Sequence, residues 1–322
     1  MKRILTGVQS TGTPHLGNVL GAIQPAIQMA QENAESFLFI ANLHTLTQIK
    51  DAGTLKENTL RTAAAWLACG LDYNKTVFYR QSDVPECTEL AWYLMCYFPY
   101  QRLTLAHSFK DKADRLSDIN SGLFSYPMLM ASEILLSDAD LVPVGKDQLQ
   151  HLEMTRDVAM KLNNSVGKEV LVIPEPKVQK DTMLIPGVDG QKMSKSRGNT
   201  IDLFLPDKQL RKQIMKIQTD STPMEDPKKA DGCNVYELYK LVATEEQVNK
   251  MRKNYEEGNY GYGHAKQALY DVIVHRFEKE RSRFDYFINH PEKVNEILDL
   301  GAQKAKKSAQ NTLKRVREHL GY

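Results

Sequence analysis

Lys2-Arg3-Ile4-Leu5-Thr6-Gly7-Val8 is followed without a break by Gln9-Ser10-Thr11-Gly12-Thr13-Pro14, and then by His15-Leu16-Gly17-Asn18. The first seven residues lack polar alternation and read as a strand buried on both faces. The next six are turn formers. From there Leu16, Val19, Leu20, Ile23, Ile27 and Ala30 recur at helical spacing, and Pro25 is expected to kink or split that helix. A buried strand, a tight polar turn and a helix form the opening unit of a parallel α/β sheet.

The pattern continues outward from that unit. Residues 37–43, Phe-Leu-Phe-Ile-Ala-Asn-Leu, and 76–79 read as further strands, with a helix around Ala63, Trp66 and Leu67 between them. An amphipathic segment covers 86–97. Residues 140–145 predict another core strand, with a helix over 148–162 behind it. The expected fold class is therefore α/β, with a doubly wound, Rossmann-like parallel sheet over residues 1–186. A glycine- and lysine-rich loop at 187–205 follows. From residue 206 onward the chain reads as helices only, interrupted by a polar stretch at 219–233 and a turn at 258–263. The expected organisation is a small all-helical domain over 206–290. A terminal segment, 291–322, packs back on the first domain, its helix over 302–320 carrying Lys304, Lys306, Lys307, Lys314, Arg315 and Arg317.

Composition narrows the function. The 322 residues are 42% hydrophobic and 25% charged, enough for a full core. Forty-two Lys and Arg against 40 Asp and Glu leave a net charge of +2. Any contact with a polyanion must therefore come from local patches. No apolar run has the length of a membrane-spanning helix, and the N-terminus turns polar too early for a signal peptide. Cys69, Cys87, Cys96 and Cys233 are far apart, with no Cys-x-x-Cys pair, and the eight histidines are scattered. That pattern offers no metal site and fits a reducing cytoplasm.

Two short motifs carry chemistry. In Pro14-His15-Leu16-Gly17-Asn18, an isolated His-x-Gly at a helix start is usually a turn and a cap. Its functional reading is that Gly17 lets a nucleotide approach the backbone, while the helix N-terminus and the imidazole meet phosphate oxygens. Lys192-Met193-Ser194-Lys195-Ser196 read alone is a solvated basic loop, yet two lysines three apart among hydroxyls also suit a clamp on a triphosphate. The order of strand, His-x-Gly-Asn, long α/β region, lysine loop and helical domain is far more specific than either piece. The combination resembles the class I aminoacyl-tRNA synthetases, in which the two signatures embrace ATP.

Tyr126-Pro-Met-Leu-Met-Ala-Ser-Glu133-Ile-Leu-Leu136 and Leu141-Val-Pro-Val-Gly145-Lys-Asp147-Gln148-Leu-Gln150-His151 narrow the resemblance to the tryptophanyl-tRNA synthetases of bacterial type, over nearly the whole chain. Read bottom-up, Glu133 in an apolar segment needs a partner, because an unpaired buried charge is costly; an internal ion pair is the plain reading. The resemblance implies instead that it accepts the indole N–H of tryptophan, where the commoner residue is aspartate. It further implies a tryptophan pocket from Leu5, His44, Tyr126, Met130, Glu133, Val142, Val144 and Gln148. Leu5 replaces the aromatic residue of some members, and Asn42 an aspartate often seen there. For ATP it implies Gln9, Ser10, Thr11, Gly17, Asn18, Gly145, Lys146, Asp147, Met183, Lys192, Met193, Ser194, Lys195 and Ser196. His15, Lys192 and Lys195 would stabilise the transferring phosphate.

The implied reaction joins tryptophan and ATP to give tryptophanyl-adenylate and pyrophosphate, then charges tRNA for tryptophan. ATP is a substrate, with Mg2+ carried on its triphosphate. The expected partners include tRNA, met by the helical domain and by Lys304, Lys307, Lys314 and Arg315, and a second copy of the chain. A homodimer interface could use Trp92, Tyr93, Tyr97, Phe98 and Tyr100. The competing readings are a tyrosyl-tRNA synthetase, a small nucleotidyltransferase, and a synthetase-like RNA-binding protein without catalysis.

Overall fold

The structure, a computed structural model, describes residues 2–32, 35–106, 119–145, 148–178 and 185–322. Five strands form one parallel sheet in the order β3-β2-β1-β4-β5: β1 Arg3–Val8, β2 Glu35–Ile40, β3 Thr76–Arg80, β4 Leu141–Val144 and β5 Glu175–Val178. Register runs Arg3 to Glu35 and Val8 to Ile40 on one side of β1, with Ile4 opposite Leu141 on the other. The chain thus winds outward from β1 in both directions. The crevice between the carboxyl ends of β1 and β4 is the topological switch point of the sheet, the place where such sheets bind ligands.

The opening helix is continuous. α1 Leu16–Asn18 passes through a π-helical turn, Val19–Ile23, into α2 Gln24–Glu32. Pro25 has no N–H for the Gly21 carbonyl, and a wide turn stands just before it, at the place where a kink or split was expected. β2 begins two residues earlier and stops sooner than the apolar run predicts, because Asn42 opens a short helix, α3 Asn42–Thr45. α4 Ala52–Ala68 follows, capped by the Asp51 carboxylate on the Thr54 N–H. α5 Glu86–Tyr97, α6 Tyr100–Thr104 and α7 Ser121–Leu136 lead to β4. α8 Leu149–Val166 runs a turn past its predicted end, to Gly167 in the left-handed conformation. β5, Glu-Pro-Lys-Val at the sheet edge, has too little apolar character to be read as a strand.

Residues of opposite parity on the central strands feed two cores. Leu38, Ile40 and Phe78 face Leu16, Val19 and Trp66. Phe37, Phe39 and Tyr79 face Leu90, Met128 and Val158. Beyond the lysine loop come α9 Asp207–Met215, α10 Asn234–Val242, α11 Glu245–Glu257, α12 Tyr262–Arg276, α13 Glu278–Asn289 and α14 Pro291–Leu320. Their apolar residues, among them Leu210, Tyr236, Tyr255 and Leu269, continue the first core without a break, joined by the Phe204–Phe284 stack at 4.3 Å. α14 is longer than the basic stretch that announces it. It packs on β3, α5 and α7, putting Ala302, Ala305 and Ala309 into the second core.

Candidate active site

A cavity of about 370 Å³ opens at the switch point, within the size range of small-molecule sites. β1 supplies Leu5 and Gly7, followed by Gln9. The end of β2 supplies Phe39, Ala41 and, from α3, His44. α7 adds Tyr126, Met130 and Glu133, and β4 adds Val142 and Val144, with Gly145 and Gln148 beyond it. All eight side chains expected to meet an amino acid meet here, together with Gln9 and Gly145 from the nucleotide set. Gly7 is required by packing: a Cβ there would stand 2.6 Å from the Phe39 ring. Gln9 donates from Nε2 to the Tyr126 hydroxyl at 3.2 Å, and the Tyr126 ring tilts against His44 with centroids 4.1 Å apart.

Glu133 is 6% exposed in a wall that is otherwise mostly apolar. Its carboxylate is paired. His44 Nε2 lies 2.9 Å from Oε1, and Gln81 Nε2 donates to the same oxygen. The internal partner demanded by burial and a position on the cavity wall therefore coexist. The negative charge also pushes up the Tyr79 hydroxyl and raises the Cys87 thiol to about 12, burial being the larger cause in both.

The two signature motifs face each other. His15 caps α1 reciprocally with Asn18: its Nδ1 accepts the Asn18 N–H at 3.2 Å, and its own N–H reaches Asn18 Oδ1 at 3.2 Å. The capped nitrogen holds a lone pair, so neutral His15 carries its proton on Nε2. Burial, reinforced by the Lys195 charge and opposed by Asp202, lowers its pKa to about 4. Met193 is buried against the motif, its sulfur accepting the Gly17 N–H at 3.3 Å. Lys195 Nζ donates to the Thr11 carbonyl at 3.2 Å and sits against Gly12; burial pulls its pKa down, partly offset by Asp202.

The other nucleotide candidates divide. Ser194 and Ser196 share a hydroxyl hydrogen bond at 2.8 Å, and the Lys192 side chain is exposed at the base of the loop. Ser10 turns inward: fully buried, its hydroxyl engages Thr45 at 3.0 Å and Thr59 at 3.4 Å, so its side chain serves the turn. Lys146, Asp147 and Met183 lie outside the described residues.

Sequence reasoning missed Gln81, Asn199 and Asp202. Asn199 organises the lysine loop, accepting the Ser194 N–H and donating to Asp189 and to the Lys192 carbonyl. Nothing in the local sequence marks a buried amide as an organiser; only its partners do. Among the described residues no group of three or more His, Cys, Asp or Glu side chains converges as a metal cage, and no helix is long and apolar enough to cross a membrane.

Known proteins resemble this chain over its length. A family model described as tRNA synthetases class I (W and Y) matches residues 1–278. The chain is 45% identical over 319 residues to the tryptophan--tRNA ligase of Campylobacter jejuni strain RM1221, covering 99% of both. It is 44% identical over 321 residues to that of Fusobacterium nucleatum, covering 100% of this chain and 98% of the relative. A crystal structure of tryptophanyl-tRNA synthetase from Campylobacter jejuni, complexed with ADP and tryptophan, matches with a TM-score of 0.96 at 44% identity, covering 99% of this chain and 100% of that one. This chain belongs to the class I tRNA synthetases for tryptophan and tyrosine, among the bacterial tryptophan--tRNA ligases.

Proposed function

We propose that the chain activates L-tryptophan with ATP and transfers the resulting acyl group to the terminal ribose of tRNA for tryptophan. The observation that carries this reading is one paired carboxylate, Glu133, in the wall of a cavity lined by Leu5, Met130, Val142 and Val144 and by Gln9 from the turn that leads into the His15 motif. Leu5, Met130, Val142 and Val144 enclose the indole and Glu133 accepts its N–H. Gln9, Tyr126 and Gln148 serve the amino acid's polar end.

In the first step a substrate carboxylate oxygen attacks the α-phosphorus, and the bond to the bridging oxygen of pyrophosphate breaks. The nucleophile is ionised at neutral pH, so the protein need supply no base. Its contribution is position and electrostatic stabilisation. His15 donates from Nε2 to a phosphate oxygen, and Lys192 and Lys195 carry positive charge to the triphosphate. Gly17 allows the nucleotide to lie close to α1, with Met193 beneath it. Magnesium arrives on the triphosphate.

Two features bear on the partners. Trp92 on α5, Tyr100 on α6 and Leu105 beyond it are 62%, 66% and 55% exposed, which supports a homodimer face there. Phe98 belongs to the core, at 6% exposed, and Tyr93 stacks on Tyr322, so neither is spare for a partner as expected from sequence. Of the basic residues offered to tRNA, Lys304, Lys307 and Lys314 are exposed, Lys314 within 3.9 Å of Glu318. Arg315 is committed inward, to Asp138 at 2.6 Å and the Val170 carbonyl at 2.9 Å. On this reading the protein works in the cytoplasm, where its tRNA is.

The test is amino-acid-dependent ATP–pyrophosphate exchange with tryptophan, tyrosine and phenylalanine in parallel. Exchange with tryptophan alone is the expected result. Exchange with tyrosine would keep the phosphate machinery and overturn the cavity assignment; no exchange from folded protein with magnesium would overturn the activity.

A further inference from the structure

Gln81 stands directly after β3 in a single 3-10 turn, 1% exposed, and belongs to neither signature motif. Its side chain makes three hydrogen bonds. Oε1 accepts the Leu43 N–H at 2.9 Å and the His44 N–H at 3.3 Å, while Nε2 donates to Glu133 Oε1. The two N–H groups belong to the first turn of α3, where a helix has donors without intrahelical partners, and the residue preceding α3, Ala41, has no polar side chain to cap them. Facing two donors, the amide has one orientation: its oxygen must point to α3, so its NH2 must point to Glu133. The turn itself is held by a reciprocal pair, Asn42 Nδ2 to Ser82 Oγ at 2.8 Å and the Ser82 N–H to Asn42 Oδ1 at 3.0 Å.

We infer that Gln81 is a positioning residue for tryptophan recognition: it fixes the Glu133 carboxylate and, through α3, His44, so that Glu133 presents one defined oxygen to the cavity. This rests on the reading of Glu133 as the indole acceptor. Among the described residues every hydrogen bond to this carboxylate falls on Oε1, from Gln81 and His44 together. Oε2 accepts none of them, and the proposal assigns it to the ligand. Glutamate has one more rotatable bond than aspartate. A carboxylate on that longer arm discriminates only if its remaining freedom is removed, and two donors converging on one oxygen do this.

Tryptophan and β-(3-benzothienyl)alanine, which carries sulfur in place of the indole N–H, are compared in pyrophosphate exchange. Q81M keeps the length of the side chain and loses both its donor and its acceptor. The expected result is a rise of about tenfold or more in KM for tryptophan, unchanged KM for ATP, and a fall of about tenfold or more in the preference for tryptophan over the analogue. E133Q sets the reference. If E133Q loses the preference and Q81M keeps it, the positioning role is overturned and the Glu133 reading stands. If E133Q keeps it, that reading fails, and the proposal with it. Because Q81M removes the cap of α3, Q81E is the second variant: it leaves an oxygen for the Leu43 and His44 N–H groups and removes the donor to Glu133. The same loss of preference is expected of a folded Q81E, and its retention overturns the proposal. In the Q81M/E133Q double variant no loss beyond that of E133Q is expected; fully additive losses would show that Gln81 does not act through Glu133.

Discussion

At the scale of single residues, the proposed function divides the work at the nucleotide end between His15 and Lys195. Lys195 bridges to Thr11 across the strand-to-helix turn, so the loop carrying it is already docked on the motif it must serve. Lys195→Ala is expected to lower the rate of tryptophan activation by on the order of 10²–10³, the usual loss for one preorganised donor; single-turnover adenylate formation measures it, and a parental rate would remove Lys195 from the mechanism. His15 gives a pH signature. In the unfolded chain its imidazole titrates near 6.5, whereas in the fold it stays neutral to about 4. Between those values the unfolded state binds more protons. The contribution of neutral His15 to stability is therefore complete above about 6.5 and is lost as pH falls toward 4, by about 3 kcal/mol in all. Urea denaturation across that range is expected to show a shallower acid slope for His15→Gln than for the parent. Both residues were legible in the sequence because their motifs are local and their order along the chain is specific. Gln81 and Asn199 were not, because a buried amide reveals its role only through partners that folding brings in from other elements.

At the scale of elements, local pattern served best where one strong signal sat in a short window. α5 has the bounds its amphipathic pattern implies, and β1 differs by one residue. It failed where backbone hydrogen bonding had two solutions. Pro25 could have broken its helix and was accommodated by a π turn; residues 41–43 could have extended β2 and coil into α3. α14 is set by a contact invisible in its own sequence. A Cβ on Gly301 would lie 1.8 Å from the Phe78 carbonyl oxygen, so the helix can rest on β3 only through a glycine. Neither backbone can yield cheaply there. Gly301→Ala is expected to cost more than about 4 kcal/mol, among the larger single-substitution effects, or to displace α14 outright; chemical denaturation with far-ultraviolet circular dichroism distinguishes the two.

At the scale of the whole molecule, the sheet, the helical segment and α14 share apolar cores and are also tied by charge. Arg281 links α13 to the Leu203 carbonyl and to Asp207, and Arg315 links α14 to Asp138, which sits at a left-handed φ of 47°. Basic residues of one helix therefore split into structural and available ones. Lys304→Ala with Lys307→Ala is expected to raise the KM for tRNA and to reduce the salt slope of tRNA binding by about one for each phosphate no longer neutralised, with pyrophosphate exchange unchanged. Arg315→Ala is expected instead to lower the unfolding free energy, by about 1–3 kcal/mol, by leaving Asp138 and the Val170 carbonyl without their donor. Equal effects of the two changes on tRNA affinity would refute the division.

The sequence alone determined the α/β class, the position of β1 and its helix, the two short motifs that meet in the fold and the resemblance that points to tryptophan. Each depends on residue type and spacing within one segment, or on the order of segments, and both are written along the chain. Tertiary structure decided what depends on distance between segments. It gave Glu133 its partners from α3 and the turn after β3, turned Ser10 inward, tied Arg315 to Asp138, buried Phe98, and brought β5 to the sheet edge despite weak propensity. Burial and hydrogen-bond satisfaction are settled across the fold, where a charged or polar side chain must find its partner wherever packing places one.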